Sequence, residues 1–173
     1  LYDGFDYLKI ERKDASGLLA KIENCLVLIK FDLNREGLGI SEDDLGRLKE
    51  KPIDYFFHLA ALSDFRDTPL LVKKIIDSNV EGTKRILNLL QKIKVKEFVF
   101  TGSAYSAGYA RGEIFPDYLN KSGNFRNPYE KSKLEAEQLI INCAKQYKIK
   151  YRIFRLTGIG GRLIEAPIGS VSK

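Results

Sequence analysis

Residues 97–108, EFVFTGSAYSAG, join an apolar run to a loop of small residues. The run from Glu97 to Thr101 predicts a buried strand, and a Gly-Ser-Ala loop begins at its carboxyl end. Further along, Pro128 suits the first turn of a helix that we expect to reach about Tyr147, and Tyr151 to Leu156 has the composition of another strand. A strand, a long helix and a second strand in this order predict a right-handed crossover between parallel strands.

The residues before this stretch repeat the alternation of strands and helices. Ile53 to Ala60 predicts a strand, and Thr68-Pro69 starts a segment with helical apolar spacing that extends to about Lys94. Ser41, followed by three acidic residues, predicts the start of a helix that ends before Pro52. We therefore expect an α/β protein with a doubly wound parallel sheet.

Cys25 to Leu33, CLVLIKFDL, predicts one more buried strand, with Asp32 at its carboxyl end. In the common strand order 3-2-1-4-5-6 it behaves like the third strand, whose neighbours come earlier in the chain. We therefore expect residues 1–173 to be one partial Rossmann-type domain, without its first strands and without a C-terminal substrate region. A glycine-rich phosphate-binding turn is absent from the sequence, and residues 1–20 receive no assignment.

Composition and charge narrow the function classes. The 173 residues are 44% hydrophobic and 30% charged, as in ordinary globular proteins. The net charge of +6 comes from lysines interspersed with acidic residues, which indicates a solvated surface and no nucleic-acid partner. With one histidine and two isolated cysteines, Cys25 and Cys143, we expect no metal site and two buried free thiols. Without a long apolar run or a signal peptide, we expect a cytoplasmic protein with no membrane span.

Tyr129 and Lys133 are the residues best suited to acid–base chemistry. They lie four apart on the predicted helix, which puts both side chains on one face. A free phenol has a pKa of about 10, and a neighbouring ammonium favours its ionised form. Lys133 could therefore activate Tyr129 as a general acid or base. In a lysine-rich chain such a pair can also arise by chance.

Ser103 lies 26 positions before Tyr129, at the carboxyl end of a predicted parallel strand. Folds of this type bind ligands in the crevice outside that end of the sheet. Its hydroxyl could orient a substrate carbonyl toward Tyr129. The alternative is a turn serine that only satisfies nearby backbone groups.

The order of several short segments resembles one enzyme superfamily. They are Asp32-Leu33 with LGIS at 38–41, DYFFHLAA at 54–61, NVEGT at 79–83, FVFTGSAYSAG at 98–108 and GNFRNPYEKSKLEAE at 123–137. Together they cover roughly residues 25 to 160 and resemble the extended short-chain dehydrogenase/reductase superfamily. The likeness is strongest to its thioester-reductase and fatty-acyl-CoA-reductase group, which has a male-sterility-type NAD-binding domain.

The resemblance implies cofactor contacts at positions after the strands and on the helices that follow them. These are Asp32 and Leu33 at the adenine end, His58, Ala60 and Ala61 along the dinucleotide, Asn79 supporting the site, Thr101 and Gly102 beside the nicotinamide, Tyr129 and Lys133 on their helix, and Leu156, Thr157, Gly158 and Ile159 on the nicotinamide side. The chain departs from the family at Arg155-Leu156-Thr157, where Arg-Pro is common. Purely structural roles stay open for Asp32, His58, Ala60, Ala61 and Asn79.

The resemblance implies an oxidoreductase that uses NADPH by preference, or NAD. It would reduce a carbonyl or acyl thioester, small or carrier-bound, to an aldehyde or alcohol, with Tyr129 as proton donor and Lys133 holding the nicotinamide ribose. The first alternative is a sugar-nucleotide epimerase, dehydratase or reductase with tightly held NAD. The second is a non-catalytic dinucleotide sensor, against which the intact set of Ser103, Tyr129 and Lys133 argues. The sequence sets no oligomeric state.

Overall fold

The structure is a computed structural model that describes residues 25–157 together with Gly17 and Lys21. The chain divides into two compact units, one formed by Leu1–Ile29 with Gly158–Lys173 and the other by Lys30–Thr157. In the first unit the described stretch is 25–29. The helices and strands named below all belong to the second unit.

The strands of the second unit form one parallel sheet. They are β1 (Ile53–His58), β2 (Val95–Ser103) and β3 (Lys150–Leu156), and they lie in the order β1-β2-β3. Parallel neighbours in chain order need crossover connections, and long helices between the strands supply them. The predicted α/β fold with a parallel Rossmann-type sheet is therefore confirmed.

Residues 30–157 form four α-helices, and three of them follow a residue whose side chain caps the first turn. They are α1 (Glu42–Glu50), α2 (Pro69–Ile75), α3 (Gly82–Leu90) and α4 (Pro128–Tyr147), with a π-helical segment, Ile76–Glu81, that joins α2 to α3. The side chains of Ser41, Thr68 and Asn127 each accept a hydrogen bond from a first-turn backbone N–H of α1, α2 and α4. The predicted bounds of α4 are confirmed at both ends.

The main core lies between the central strand and the helices α3 and α4. Phe98 and Phe100 of β2 cluster with Ile86 of α3 and Ile140 of α4, and each of these side chains is at most 2% exposed. Burying a side chain of this size stabilises the fold by about 1.5–3 kcal/mol. The strand and the helix that carry the candidate catalytic residues are thus packed firmly against each other.

The strand predicted for Cys25 to Leu33 is wrong. Residues 26–32 have no regular structure, and the apolar side chains of Leu26, Val27 and Leu28 are more than half exposed. A strand exists only when a neighbour satisfies its backbone groups, and within residues 25–157 none of the strands takes this segment as a partner. The burial predicted for the thiol of Cys25 is also wrong, since that side chain is exposed, whereas Cys143 is half-buried; both are free.

Among the helices described, none is both long and apolar enough to cross a bilayer. The described side chains also contain no group of three or more His, Cys, Asp or Glu residues that could hold a metal ion.

Candidate active site

The parallel register brings several predicted site residues to one edge of the sheet. His58 at the end of β1 pairs with Phe100 of β2, and Ser103 at the end of β2 pairs with Leu156 at the end of β3. Thr101 and Gly102 therefore lie at this carboxyl edge as well. Ala60 and Ala61 follow β1 and are exposed, as is Thr157 after β3; Gly158 and Ile159 lie outside the described residues.

Tyr129 is the second residue of α4, so the helix start fixes its place beside the sheet edge. Its half-buried ring meets the ring of Phe65 edge-on, with centroids 5.3 Å apart and planes at 87°. Phe65 lies in the loop between β1 and α2, and no spacing in the sequence indicated this contact. An edge-to-face pair of this kind stabilises by about 0.5–1.5 kcal/mol and restricts the orientation of the phenol.

Lys133 lies one helical turn after Tyr129 and is buried, with 3% of its surface exposed. Its ammonium donates a 2.5 Å hydrogen bond to the carbonyl oxygen of Thr101 and lies 4.4 Å from the centroid of the Phe100 ring. Burial lowers the pKa of Lys133 to about 8, although the nearby carboxylate of Glu137 acts in the opposite direction. An ammonium has three donors, and among residues 25–157 Lys133 donates only to Thr101, so two donors are available to a ligand there.

Ser103 is buried, and its hydroxyl accepts a 3.2 Å hydrogen bond from the backbone N–H of Tyr105. It thereby caps a 3-10 turn, Ala104–Ala107, that directly follows β2. The structure thus places Ser103, Tyr129 and Lys133 on two packed elements. Within residues 25–157 no hydrogen bond joins these three side chains to one another.

His58 is buried beneath this edge, next to Lys133. Its Nε2 is 3.0 Å from the hydroxyl oxygen of Thr83, and that hydroxyl donates to the carbonyl oxygen of Asn79 over 2.6 Å. Thr83 therefore accepts from His58, which assigns the proton to Nε2. Burial, and to a smaller extent the charge of Lys133, together lower the pKa of His58 to about 4. The imidazole is neutral at pH 7, and these contacts fit a structural role.

Asn79 connects the loop after β1 with helix α4. Its side-chain oxygen accepts from the N–H of Leu62 over 2.7 Å, and its amide donates to the carbonyl oxygen of Leu62 and to the hydroxyl of Ser132, both over 3.0 Å. Ser132 in turn donates to the carbonyl oxygen of Tyr129 over 2.8 Å. Asn79 lies in the π-helical segment, a geometry often found at functional sites. The supporting place predicted for Asn79 fits these contacts; sequence reasoning missed Ser132.

The predicted adenine-end residues lie in a turn that precedes α1. The exposed carboxylate of Asp32 accepts a 2.9 Å hydrogen bond from the N–H of Asn34 and lies 3.6 Å from the guanidinium of Arg35. Leu33 packs beside Gly82, where an added Cβ would come within 3.2 Å of it. The carbonyl oxygen of Leu33 accepts from Arg85 over 2.9 Å.

The loop 108–127 between β2 and α4 is held at both ends. Arg126 donates to the carbonyl oxygen of Gly108 over 2.7 Å, and its backbone N–H donates to the carboxylate of Glu130 over 3.0 Å. Glu130 in turn donates its N–H to the side chain of Asn127. Gly108 has φ +61°, and a Cβ there would collide with the carbonyl oxygen of Asn124. The stretch GNFRNPYE, part of the segment that resembles the thioester-reductase group, thus joins the two ends of this loop.

A buried ion pair lies behind the sheet edge and was not found from the sequence. Arg155 donates from Nε and Nη2 to one carboxylate oxygen of Glu137, over 3.0 and 2.8 Å, and from Nη2 to the carbonyl oxygen of Tyr118 over 2.7 Å. The other carboxylate oxygen accepts from the hydroxyl of Ser106 over 3.2 Å. Glu137 is fully buried, at the spacing of one more helical turn after Lys133.

A family model described as male sterility protein, a family of NAD-binding domains, matches residues 4–172. Among curated relatives, a UDP-glucose 4-epimerase of Lactobacillus helveticus is 30% identical over 70% of this chain and 36% of its own length. A Drosophila melanogaster protein named as a fatty acyl-CoA reductase is 33% identical over 63% of this chain and 19% of its own length. The chain thus spans about a third or less of these relatives.

Solved structures of the same fold include a biosynthetic R domain and a sugar-nucleotide epimerase. The terminal R domain of the myxalamid PKS-NRPS biosynthetic pathway is 25% identical, with a TM-score of 0.63 over 73% of this chain and 32% of that one. A UDP-glucuronic acid 4-epimerase from Bacillus cereus, in complex with UDP-glucuronic acid and NAD, is 26% identical, with a TM-score of 0.56 over 65% of this chain and 35% of that one. The family match extends over nearly all of the sequence. The chain therefore belongs to the NAD-binding male sterility protein family, within the extended short-chain dehydrogenase/reductase superfamily.

Proposed function

We propose that the protein reduces a carbonyl or acyl thioester with NADPH, or with NAD as the less favoured cofactor. The observation that carries the proposal is the buried ammonium of Lys133, which lies one helical turn from Tyr129 and uses one of its three donors on Thr101. A cation held in this way at the carboxyl edge of a parallel sheet suits recognition of paired hydroxyls. The residues therefore fit a nicotinamide ribose.

The dinucleotide would extend along residues at the same edge. Ala60 and Ala61 offer small side chains after β1, and Thr101 and Gly102 would border the nicotinamide at the end of β2. Asp32, exposed in its turn, and Leu33 would contact the adenine end of the dinucleotide. When bound, the dinucleotide supplies the hydride. The preference for NADPH comes from the thioester-reductase resemblance.

The chain's own part in the reaction is proton transfer and charge stabilisation. Tyr129 donates the proton of its phenol to the oxygen on which negative charge develops, and Ser103 donates a second hydrogen bond to the same oxygen. To do so, the Ser103 hydroxyl turns its proton outward while its oxygen keeps the N–H of Tyr105. Lys133, one helical turn away, supplies positive charge on the same face of α4. The phenol regains its proton from solvent. With a thioester, the resulting hemithioacetal then loses its C–S bond and its hydroxyl proton passes to sulfur, which leaves an aldehyde and the free thiol.

We prefer a thioester or related acyl substrate, small or carrier-bound, to a sugar nucleotide because of a resemblance in sequence. The stretch 123–137 resembles the thioester-reductase group. It contains Arg126, whose hydrogen bond to the carbonyl oxygen of Gly108 joins the ends of the loop, and it leads into α4. The likeness to a terminal R domain and to a protein named as a fatty acyl-CoA reductase supports this choice. Residues 1–173 would then be part of the NAD(P)-binding domain, with the substrate region elsewhere in the protein.

Sugar-nucleotide epimerisation is the second candidate, because curated relatives that cover 70% of this chain are UDP-glucose 4-epimerases. The test incubates the full-length protein with a long-chain acyl-CoA and NADPH, and separately with UDP-glucose and NAD. We expect consumption of NADPH, followed at 340 nm, with release of free CoA. Conversion of UDP-glucose without acyl-CoA reduction would replace the reductase proposal by the epimerase one.

A further inference from the structure

Helix α4 is attached to the end of β2 by side chains one helical turn apart. Lys133 donates to the carbonyl oxygen of Thr101, just before Ser103, and Glu137 accepts from the hydroxyl of Ser106, just after it. These two contacts bracket Ser103, which lies between them in sequence. Lys133, Ser106 and Glu137 are buried, and Thr101 is half-buried.

We propose that Glu137 is a positioning residue that holds Ser103 in register with Tyr129 through the hydroxyl of Ser106. The proposal rests on the reductase function, in which Lys133 shares its donors between Thr101 and the ribose hydroxyls of the cofactor. The Lys133 contact is then weakened when the reaction takes place. The Ser106–Glu137 contact remains, and it keeps the 3-10 turn Ala104–Ala107, and with it Ser103, in place against α4.

The carboxylate of Glu137 is suited to this task because its own orientation is determined. Arg155 binds one of its oxygens with two N–H groups, which leaves the other oxygen directed at Ser106. That oxygen also occupies the space where a side chain at position 102 would lie, 2.7 Å from an added Cβ. Gly102 thus lets the carboxylate reach the turn that follows the strand.

The turn passes this constraint to Ser103 by short connections. The N–H of Tyr105 donates to the Ser103 hydroxyl, and the N–H of Gly108 donates to the carbonyl oxygen of Tyr105 over 2.9 Å. A turn released from Glu137 can move its capping serine by a fraction of an ångström. Displacements of 1 Å at a reacting centre can cost about 100-fold in rate.

The test compares Ser106→Ala, which removes the donor to Glu137, with Ser106→Thr, which keeps it. Ser78→Ala, half-buried in the π-helical segment, serves as the matched loss of a hydroxyl elsewhere. In the full-length protein we expect Ser106→Ala to lower kcat about tenfold. The KM values for NADPH and substrate should change less than twofold, and Ser106→Thr should restore kcat. Wild-type kcat in Ser106→Ala, or an equal loss in Ser106→Thr, would overturn the proposal.

Amide hydrogen exchange gives a readout that does not require turnover. We expect the N–H groups of Tyr105 and Gly108 to exchange at least about tenfold faster in Ser106→Ala than in the wild type, and at the wild-type rate in Ser78→Ala. Unchanged exchange of these amides in Ser106→Ala would contradict the positioning role, whatever the measured activity of the variant. A wild-type protein that turns over neither acyl-CoA nor UDP-glucose would refute the proposed function. The exchange rates would still show whether the Ser106–Glu137 hydrogen bond holds the turn 104–107 in place.

Discussion

Replacing His58 by glutamine should make the fold less sensitive to acid. In the native state the pKa of His58 is about 4, because the ring is buried and faces the charge of Lys133. In the unfolded chain a histidine has a pKa of about 6.5. The unfolded state therefore binds the proton more tightly, and the free energy of unfolding falls as the pH drops from 6.5 to 4. Glutamine keeps a donor that can reach Thr83 and removes the titration.

The size of the effect follows from these two pKa values. Their difference corresponds to at most about 3.4 kcal/mol for one group, of which about 2 kcal/mol is lost between pH 7 and pH 5. Urea unfolding of the wild type and of His58→Gln at pH 7 and pH 5 isolates the contribution of His58 to the free energy of unfolding, since the carboxylates titrate alike in the two proteins. We expect the wild type to lose about 2 kcal/mol more than the variant. Equal losses would show that His58 is not held neutral by burial.

Three further changes test other parts of the structure. Gly108→Ala should lower the free energy of unfolding by about 2 kcal/mol or more, because its φ is +61° and the new Cβ would collide with the carbonyl oxygen of Asn124. The control Gly112→Ala has a φ of +84° but open space around the Cβ, so it should cost only about 1 kcal/mol in the same urea titration. Asn79→Ala removes three hydrogen bonds and should cost about 2–3 kcal/mol, with weaker cofactor binding by fluorescence titration. Lys133→Ala should lose both turnover and cofactor affinity, and wild-type affinity would contradict its ribose role.

Local signals in the sequence located the elements that position the site. Pro128 marks the start of α4 by its fixed backbone angle, so the helix and the shared face of Tyr129 and Lys133 could be predicted. Ser103 could be placed at the sheet edge because an apolar run ends just before it. Such features depend on neighbours within a few positions in the chain.

The features that the sequence did not reveal depend on distant partners. The segment from Cys25 to Leu33 has the composition of a strand, but strand formation needs a neighbour that composition does not contain. The contacts of Phe65 with Tyr129 and of Arg155 with Glu137 join residues far apart in the chain, and no periodicity indicates them. The Glu137 carboxylate was overlooked because an acidic residue on a lysine-rich helix ordinarily faces solvent.

Hydride transfer by the Tyr129→Phe variant of the full-length protein tests the central claim most directly. The substitution removes the phenolic proton and keeps the ring that packs on Phe65. We expect NADPH to bind within about twofold of the wild-type affinity, while acyl-CoA reduction falls at least about 100-fold. Turnover at the wild-type rate with normal NADPH binding would contradict the assignment of Tyr129 as the proton donor.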